Sequence, residues 1–246
     1  MTNLKTAAEL KAIAKERSLD KYGVLIIANI IIIIIEMAIS GIATVATPSS
    51  LVIFIINELI ILVTSILLGI LVSGKTYLYM NLIYSQTVST GDIFFGFKQH
   101  PDKAVKIQSV FVLANFIAGL PASIIFFFLT PSSPSYVGLA LFVAIALGLV
   151  ATVYVSLTYS QAFYLLHDYP DRSAKDLLAY SKSLMEGNRF KLFYLHMSFI
   201  PLIIFGCLTF FIPLLWISVY RYATLTAFYQ DLIAAHNTGK VENGLN

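Results

Sequence analysis

The chain is short of charge. Asp, Glu, Lys and Arg make up 12% of its 246 residues, about half the share of an ordinary soluble domain. So few charges cannot cover a globular surface, which excludes a soluble domain with a polar exterior. Cysteine is nearly absent. Cys207 stands alone, and a single thiol excludes an intrachain disulfide and any cysteine-cluster metal site. Its apolar neighbours predict a buried small hydrophobe. Enzyme signatures are also missing. His100, His167, His196 and His236 are scattered without metal-ligand spacing, and no HExxH, GxSxG, P-loop or dinucleotide glycine pattern occurs. No cofactor and no metal are expected, and an intramembrane enzyme is the least supported class. The connections between apolar runs are too short for a catalytic domain.

What is abundant is apolar. The hydrophobic fraction is 58%, with eighteen Phe and fourteen Tyr, against roughly 45–50% apolar in soluble domains. Val24 to Ile35 reads VLIIANIIIIII and holds eight isoleucines without a charge. Apolar character continues to Ala46, interrupted by Glu36 alone among charges. That is just over about 20 residues, enough to cross a hydrocarbon core about 30 Å thick. No polar face breaks the run, so it reads as a transmembrane helix. Helices are preferred over a barrel, because a barrel strand alternates over about 10 residues. The fold class expected is all-α: a polytopic membrane protein of six transmembrane helices arranged as three hairpins, with short amphipathic interfacial helices.

Taken in order, residues 1–21 hold an amphipathic segment. Thr6 and Glu9 fit a capping box, Leu10, Ile13, Ala14 and Arg17 recur at helical spacing, and Lys11 and Lys15 form a basic edge. A helix at the membrane surface is expected. The length and polarity of this segment argue against a cleaved leader. A single transmembrane domain follows over 22–232, with spans near 22–44, 51–72 (extending towards Tyr84), 101–128, 136–166, 190–209 and 211–232. Pro121 kinks the third. Uncharged turns fall at Val45–Ser50 and Thr130–Ser135. The polar connection 85–101 contains Asp92, Lys98 and His100, and Ile93 and Phe97 share at most one face of a turn, with Gly91 and Gly96 as breakers. In the second connection Ser173 caps a helix whose stripe is Ala174, Leu177, Leu178, Ser181, Leu184 and Met185, with Gly187 as its stop. This helix also reads as interfacial. The last two spans form a tight hairpin, which could dip in without crossing. Residues 233–246 read as a loose tail.

Lysine and arginine cluster in the amino-terminal segment and the two long connections, and the three turns between them carry neither. The positive-inside rule therefore predicts both termini in the cytoplasm and an even number of spans. A weak internal echo supports three hairpins. Thr47-Pro48-Ser49-Ser50 returns as Thr130-Pro131-Ser132-Ser133, Tyr84-Ser85-Gln86 as Tyr159-Ser160-Gln161, and Ala162-Phe163-Tyr164 as Ala227-Phe228-Tyr229.

The candidate intramembrane polar site is Glu36, Glu58, Asn29 and Asn57. A carboxylate in hydrocarbon costs several kcal/mol, on the order of 3, unless paired, protonated or wetted. Glu36 and Glu58 read either as a coupled proton or cation site facing an outer cavity or as two separate wetted residues, the simpler account. Asn29, Asn57 and Asn115 read as hydrogen-bonding links between helices. Arg221 and Lys75 are candidate polar or lipid contacts towards the cytoplasmic side, and Arg221 is expected to pair with Asp168 or Asp231. The tyrosines of the second, fourth and sixth spans, Tyr79, Tyr164 and Tyr222 among them, read as interfacial belt and packing, with a pocket common to the three hairpins as the alternative.

Several of these residues carry a resemblance. Gly187-Asn188-Arg189-Phe190-Lys191, then Ser198-Phe199, Tyr220, Ala227-Phe228-Tyr229 and Asp231-Leu232, together with the basic helix running into Tyr22-Gly23, resemble the DUF975 family of bacterial integral membrane proteins. Many members have a tryptophan where this chain has Pro201 and Leu202, and Pro-Tyr where it has Val219-Tyr220, so it resembles a divergent member. The resemblance implies a multi-pass protein of the bacterial cytoplasmic membrane. It supplies no catalytic residues. The function expected is an accessory or structural role through partner or lipid interactions. The alternative is a gradient-driven transporter or exporter of a small molecule, peptide or lipid. Membrane lipids, another membrane protein or a second copy are the expected partners, and nucleic acid is not. A water-accessible cavity around the acidic residues would favour transport. A compact bundle with a free apolar groove near 173–187 would favour the accessory role.

Overall fold

The structure is a computed structural model that describes residues 4–43, 51–129 and 135–242. The turns expected at Val45–Ser50 and Thr130–Ser135 lie outside the described residues, except Ser135, which opens a helix. Every element described is helical.

Helix α1, Ala7–Ser18, begins at the capping box read from the sequence. Thr6 accepts from the Glu9 amide and the Glu9 carboxylate accepts from the Thr6 amide. Its buried row is Leu10, Ala14 and Ser18, spaced by four residues and so on one face. That row is turned towards protein, not lipid. It packs on the last helix and on α4, so the helix is docked on the bundle. Burying one leucine contributes about 2 kcal/mol, and Lys5 adds an ion pair to Asp231 at 2.7 Å.

Among the described residues, five helical stretches are long and apolar enough to cross a membrane: Tyr22–Ile39, Leu51–Ile83, Pro101–Phe126, Val137–Asp168 and Arg189–Leu208. The first belongs to α2, Tyr22–Ala43. The second comprises α3, Leu51–Leu67, and α4, Gly69–Ile83. A 3-10 turn, Thr90–Phe94, and the short α5, Phe95–Lys98, follow. Then come α6, Pro101–Leu129, α7, Ser135–Tyr159, and α8, Ala162–Asp168. Helix α9 is Ala174–Met185, α10 is Arg189–Met197 and α11 is Ile200–Leu208. The last, α12, is Leu214–Glu242. It is not among the five apolar stretches, because Arg221, Tyr222, Gln230 and Asp231 dilute it.

Two connections fold differently from expectation. In the first, Ile93 is buried while Phe97 is exposed, so they do not share a face. Gly91 and Gly96 were expected only to break structure, but glycine here serves close approach. A Cβ on Gly74 would strike the Ile93 carbonyl, and one on Gly96 would strike the Ile70 carbonyl. The connection therefore lies against α4 at backbone distance, and Tyr77 stacks on Phe95 with centroids 3.7 Å apart. In the second connection α9 buries Ala174, Leu177, Ser181, Leu184 and Met185, as its stripe predicts. Its neighbours are α6, α7, α8 and α12, so the stripe is spent inside the protein. Gly187 follows with φ 78°, a left-handed value that suits glycine after a helix.

The tail expected to be loose over 233–246 is helical as far as Glu242. Ala234 and Ala235 favour helix, no proline intervenes, and His236 lies 5.7 Å from the Tyr180 ring. Gly239 costs that extension only about 1 kcal/mol. Cys207, expected to be buried, is exposed on α11.

The core is concentrated at the end of the bundle that carries both polar connections. Leu78, Tyr79, Leu82, Ile83, Leu165, Leu166, Leu177 and Tyr229 are buried there. Away from it, Ile33, Ile34, Val52, Ile55, Leu139, Phe142 and Leu147 are exposed. Such a surface is stable only where the solvent is itself apolar.

Candidate functional site

Three of the apolar stretches are broken. The interruptions fall at Leu68, between α3 and α4, at Ser160 and Gln161, between α7 and α8, and at Ser198 and Phe199, between α10 and α11. A break leaves backbone groups without their helical partners, which is costly away from water. At each one a carbonyl is taken up by a side chain from elsewhere. Gln108 of α6 donates to the Ser65 carbonyl at 3.4 Å. Ser181 of α9 donates to the Thr158 carbonyl at 3.2 Å and accepts from the Gln161 amide at 3.2 Å. Lys11 of α1 donates to the Ser198 carbonyl at 3.0 Å and lies 4.4 Å from the centre of the Phe199 ring. The two amphipathic helices thus act as braces for the breaks.

Beside the breaks is a half-open cavity of about 410 Å³. Leu71, Val72 and Lys75 line it just after the first break, Ser160 and Gln161 at the second, and Leu192 and His196 just before the third. Ile32 and Glu36 of α2, Gln108 and Phe111 of α6, and Tyr222 and Leu225 of α12 complete it. Tyr79, Tyr164 and Tyr222, one each from the second, fourth and sixth expected spans, all face it. The three tyrosines thus line one cavity, and Tyr79 and Tyr164 also have structural hydrogen bonds, to Asn29 at 2.8 Å and to Thr226 at 3.2 Å. Lys75 holds its ammonium 3.6 Å from the centre of the Tyr222 ring, a favourable cation–π position.

The expected site residues are only partly brought together. Glu36 is exposed and lines this cavity. Glu58 lines a separate groove between α3 and α6 with Ser65, Asn115 and Ser123. The geometry sets the two carboxylates on different hollows. Asn29 is buried and links helices as expected, donating to Tyr79 and, at 3.4 Å, to Ser218 of α12. Asn57 is half-buried on α3. Arg221 does not pair with Asp168 or Asp231. It meets Nδ1 of His196 at 3.3 Å, while Asp168 accepts from Tyr229 and Asp231 from Lys5. His167 and Asp168 diverge as well, His167 bonding the Ser73 carbonyl at 2.9 Å.

Sequence reasoning passed over Gln108, Gln161 and Ser181. Their signal is an uncharged polar side chain inside or beside an apolar run. Only the fold shows that Gln108 reaches the first break and that Ser181 and Gln161 meet at the second. Lys11, expected on a basic edge with Lys15, is partly buried, and burial lowers its pKa from the ordinary lysine value.

Broken helices beside a half-open, largely apolar cavity define an all-helical protein with membrane-length apolar stretches. The chain belongs to the DUF975 family, described as a protein of unknown function, whose family model matches residues 1–236. No curated protein matches the chain, and no solved structure does.

Proposed function

We propose that this is a six-span membrane protein, with both termini cytoplasmic, that takes a small amphiphilic molecule into the central cavity and transports it. The observation that carries this reading is the coincidence of the cavity with three helix breaks. Discontinuous helices whose ends face a polar hollow are a recurring arrangement in transporters, because interrupted backbone presents polar groups to a substrate and supplies points of bending. The accessory role is less favoured, since the apolar rows of α1 and α9 are both buried against the bundle. An even span count is supported by the Lys5–Asp231 pair at 2.7 Å. That pair draws Lys5 and Asp231 to one end of the bundle, which favours a crossing by α12.

The test needs no known substrate. In a Cys207→Ser background, Ser160→Cys and Ser156→Cys place thiols on the cavity wall. A membrane-impermeant maleimide should label them from each side of a sealed vesicle in turn. Labelling from one side alone would return the protein to a binding or accessory role, and labelling from neither would remove the cavity from its function.

A further inference from the structure

The cavity wall carries one buried acceptor without a hydrogen-bond partner and two charges without an ion pair among the described residues. The Gln161 side chain is 2% exposed. Its amide nitrogen is occupied by Ser160 at 2.8 Å and by the Met185 sulfur at 3.5 Å, but its Oε1 is buried without a hydrogen-bond partner. A buried acceptor left empty costs about 1–3 kcal/mol, so such a group points to a donor that arrives from outside. Lys75 rests on the Tyr222 ring and, among the described residues, forms no ion pair. Glu36, on the same wall, forms none either.

The two charged residues branch from the wall at different heights. Asn29 and Tyr79 are hydrogen-bonded across α2 and α4 and mark a common level. At about 1.5 Å per residue, the backbone of Glu36 lies about 10 Å beyond that level and that of Lys75 about 6 Å beyond it, while the Lys75 ammonium turns to the Tyr222 ring. An offset of a few ångströms, with Gln161 as a third point, suits a ligand that carries charges of both signs a short distance apart. It does not suit a single ion. The remaining wall, with Ile32, Leu71, Phe111, Leu192 and Leu225, suits an apolar body.

We infer that the cavity takes a compact zwitterion with an apolar body, its anionic group set against Lys75 and its ammonium against Glu36 and the Gln161 Oε1. This rests on the cavity reading above and names its substrate class. Two sources share that chemistry, a short apolar peptide and the ethanolamine phosphate of a lipid.

The experiment measures calorimetric binding to the purified full-length protein in a maltoside detergent. The probes are leucyl-leucine, its N-acetyl and amide derivatives, which each lack one charge, and lysophosphatidylethanolamine. A zwitterion should bind at least about tenfold tighter than either single-charge derivative, as lost hydrogen bonds to charged groups imply. Lys75→Gln should abolish the advantage over the amide, and Glu36→Gln the advantage over the N-acetyl form. Lys75→Arg and Glu36→Asp should retain both, which separates charge recognition from damaged folding. Charge dependence confined to the dipeptide or to the lysolipid identifies the source, and either result supports the inference. Equal binding of all derivatives, charge variants without effect, or no binding by any probe overturns it. The two-sided labelling of Ser160→Cys then judges the transport reading independently, because it requires no ligand.

Discussion

Ser181→Ala is the sharpest test of how the broken helices are held. Ser181 is fully buried, and its hydroxyl serves both sides of the α7–α8 break, donating to the Thr158 carbonyl and accepting from the Gln161 amide. Alanine removes both bonds and leaves two backbone groups unpaired in a site water does not reach. Each unsatisfied buried group costs about 1–3 kcal/mol, although partial relaxation of a bent helix towards regular geometry recovers part of this. Alanine is also a better helix former than serine by about 0.5 kcal/mol, an opposing effect. The net expectation is a loss of about 1–2 kcal/mol. For a chain of 246 residues that corresponds to a melting temperature lower by about 2–8 °C. The assay is thermal unfolding of the purified protein in detergent, followed by tryptophan fluorescence from Trp216. Ser183→Ala on the exposed face of the same helix is the control, and it should be neutral or slightly stabilising. If Ser181→Ala melts with or above the Ser183→Ala control, the hydroxyl is not what sustains the break, and the account of braced breaks is wrong.

Gly74→Ala and Gly96→Ala should each destabilise by about 1–3 kcal/mol, since the added methyl meets a backbone carbonyl that cannot turn aside; Gly23→Ala, which meets nothing within 4 Å, is the comparison in the same melting assay. The pH response of α1 follows from Glu9, whose pKa is held below the ordinary carboxylate value, first by the Thr6 amide and then by the Thr6 hydroxyl. A depressed folded-state pKa stabilises above the unfolded value of about 4.3, and the contribution is lost as pH falls through the folded value. Amide exchange in 7–18 should therefore rise on acidification below about pH 4.3, and Glu9→Gln should flatten that rise. Cys207, exposed on an apolar helix face, should react with N-ethylmaleimide in vesicles but not with a charged, membrane-impermeant maleimide from either side.

Much of the architecture was legible because hydrocarbon imposes simple rules. Residues 22–43 and 101–129 form helices almost where the apolar runs begin and end, since a backbone without water must bond to itself. The α1 capping box and the α9 stripe were legible for local reasons, as both depend on residues within a few positions of one another. What covers a stripe is not local. Leu10 and Leu177 have the same pattern whether they meet lipid or protein, and only the packing of α1 on α12 and of α9 on α7 and α8 decides between them. The candidate site was less legible for the same reason. Glu36 and Glu58 are comparable in sequence but line different hollows, because helix rotation decides what a side chain faces. Arg221 lies within reach of two aspartates by position, yet the tertiary arrangement gives those aspartates to Tyr229 and Lys5 and brings it to His196.

The sequence by itself determined the solvent, the helical class and the rough places of the spans, because composition and run length act one residue at a time. The tertiary structure alone decided where those spans break, which distant side chains brace each break, and that Lys75, Glu36 and Gln161 share one cavity. Those features depend on rotation and contact between helices far apart in the chain, which no local pattern encodes.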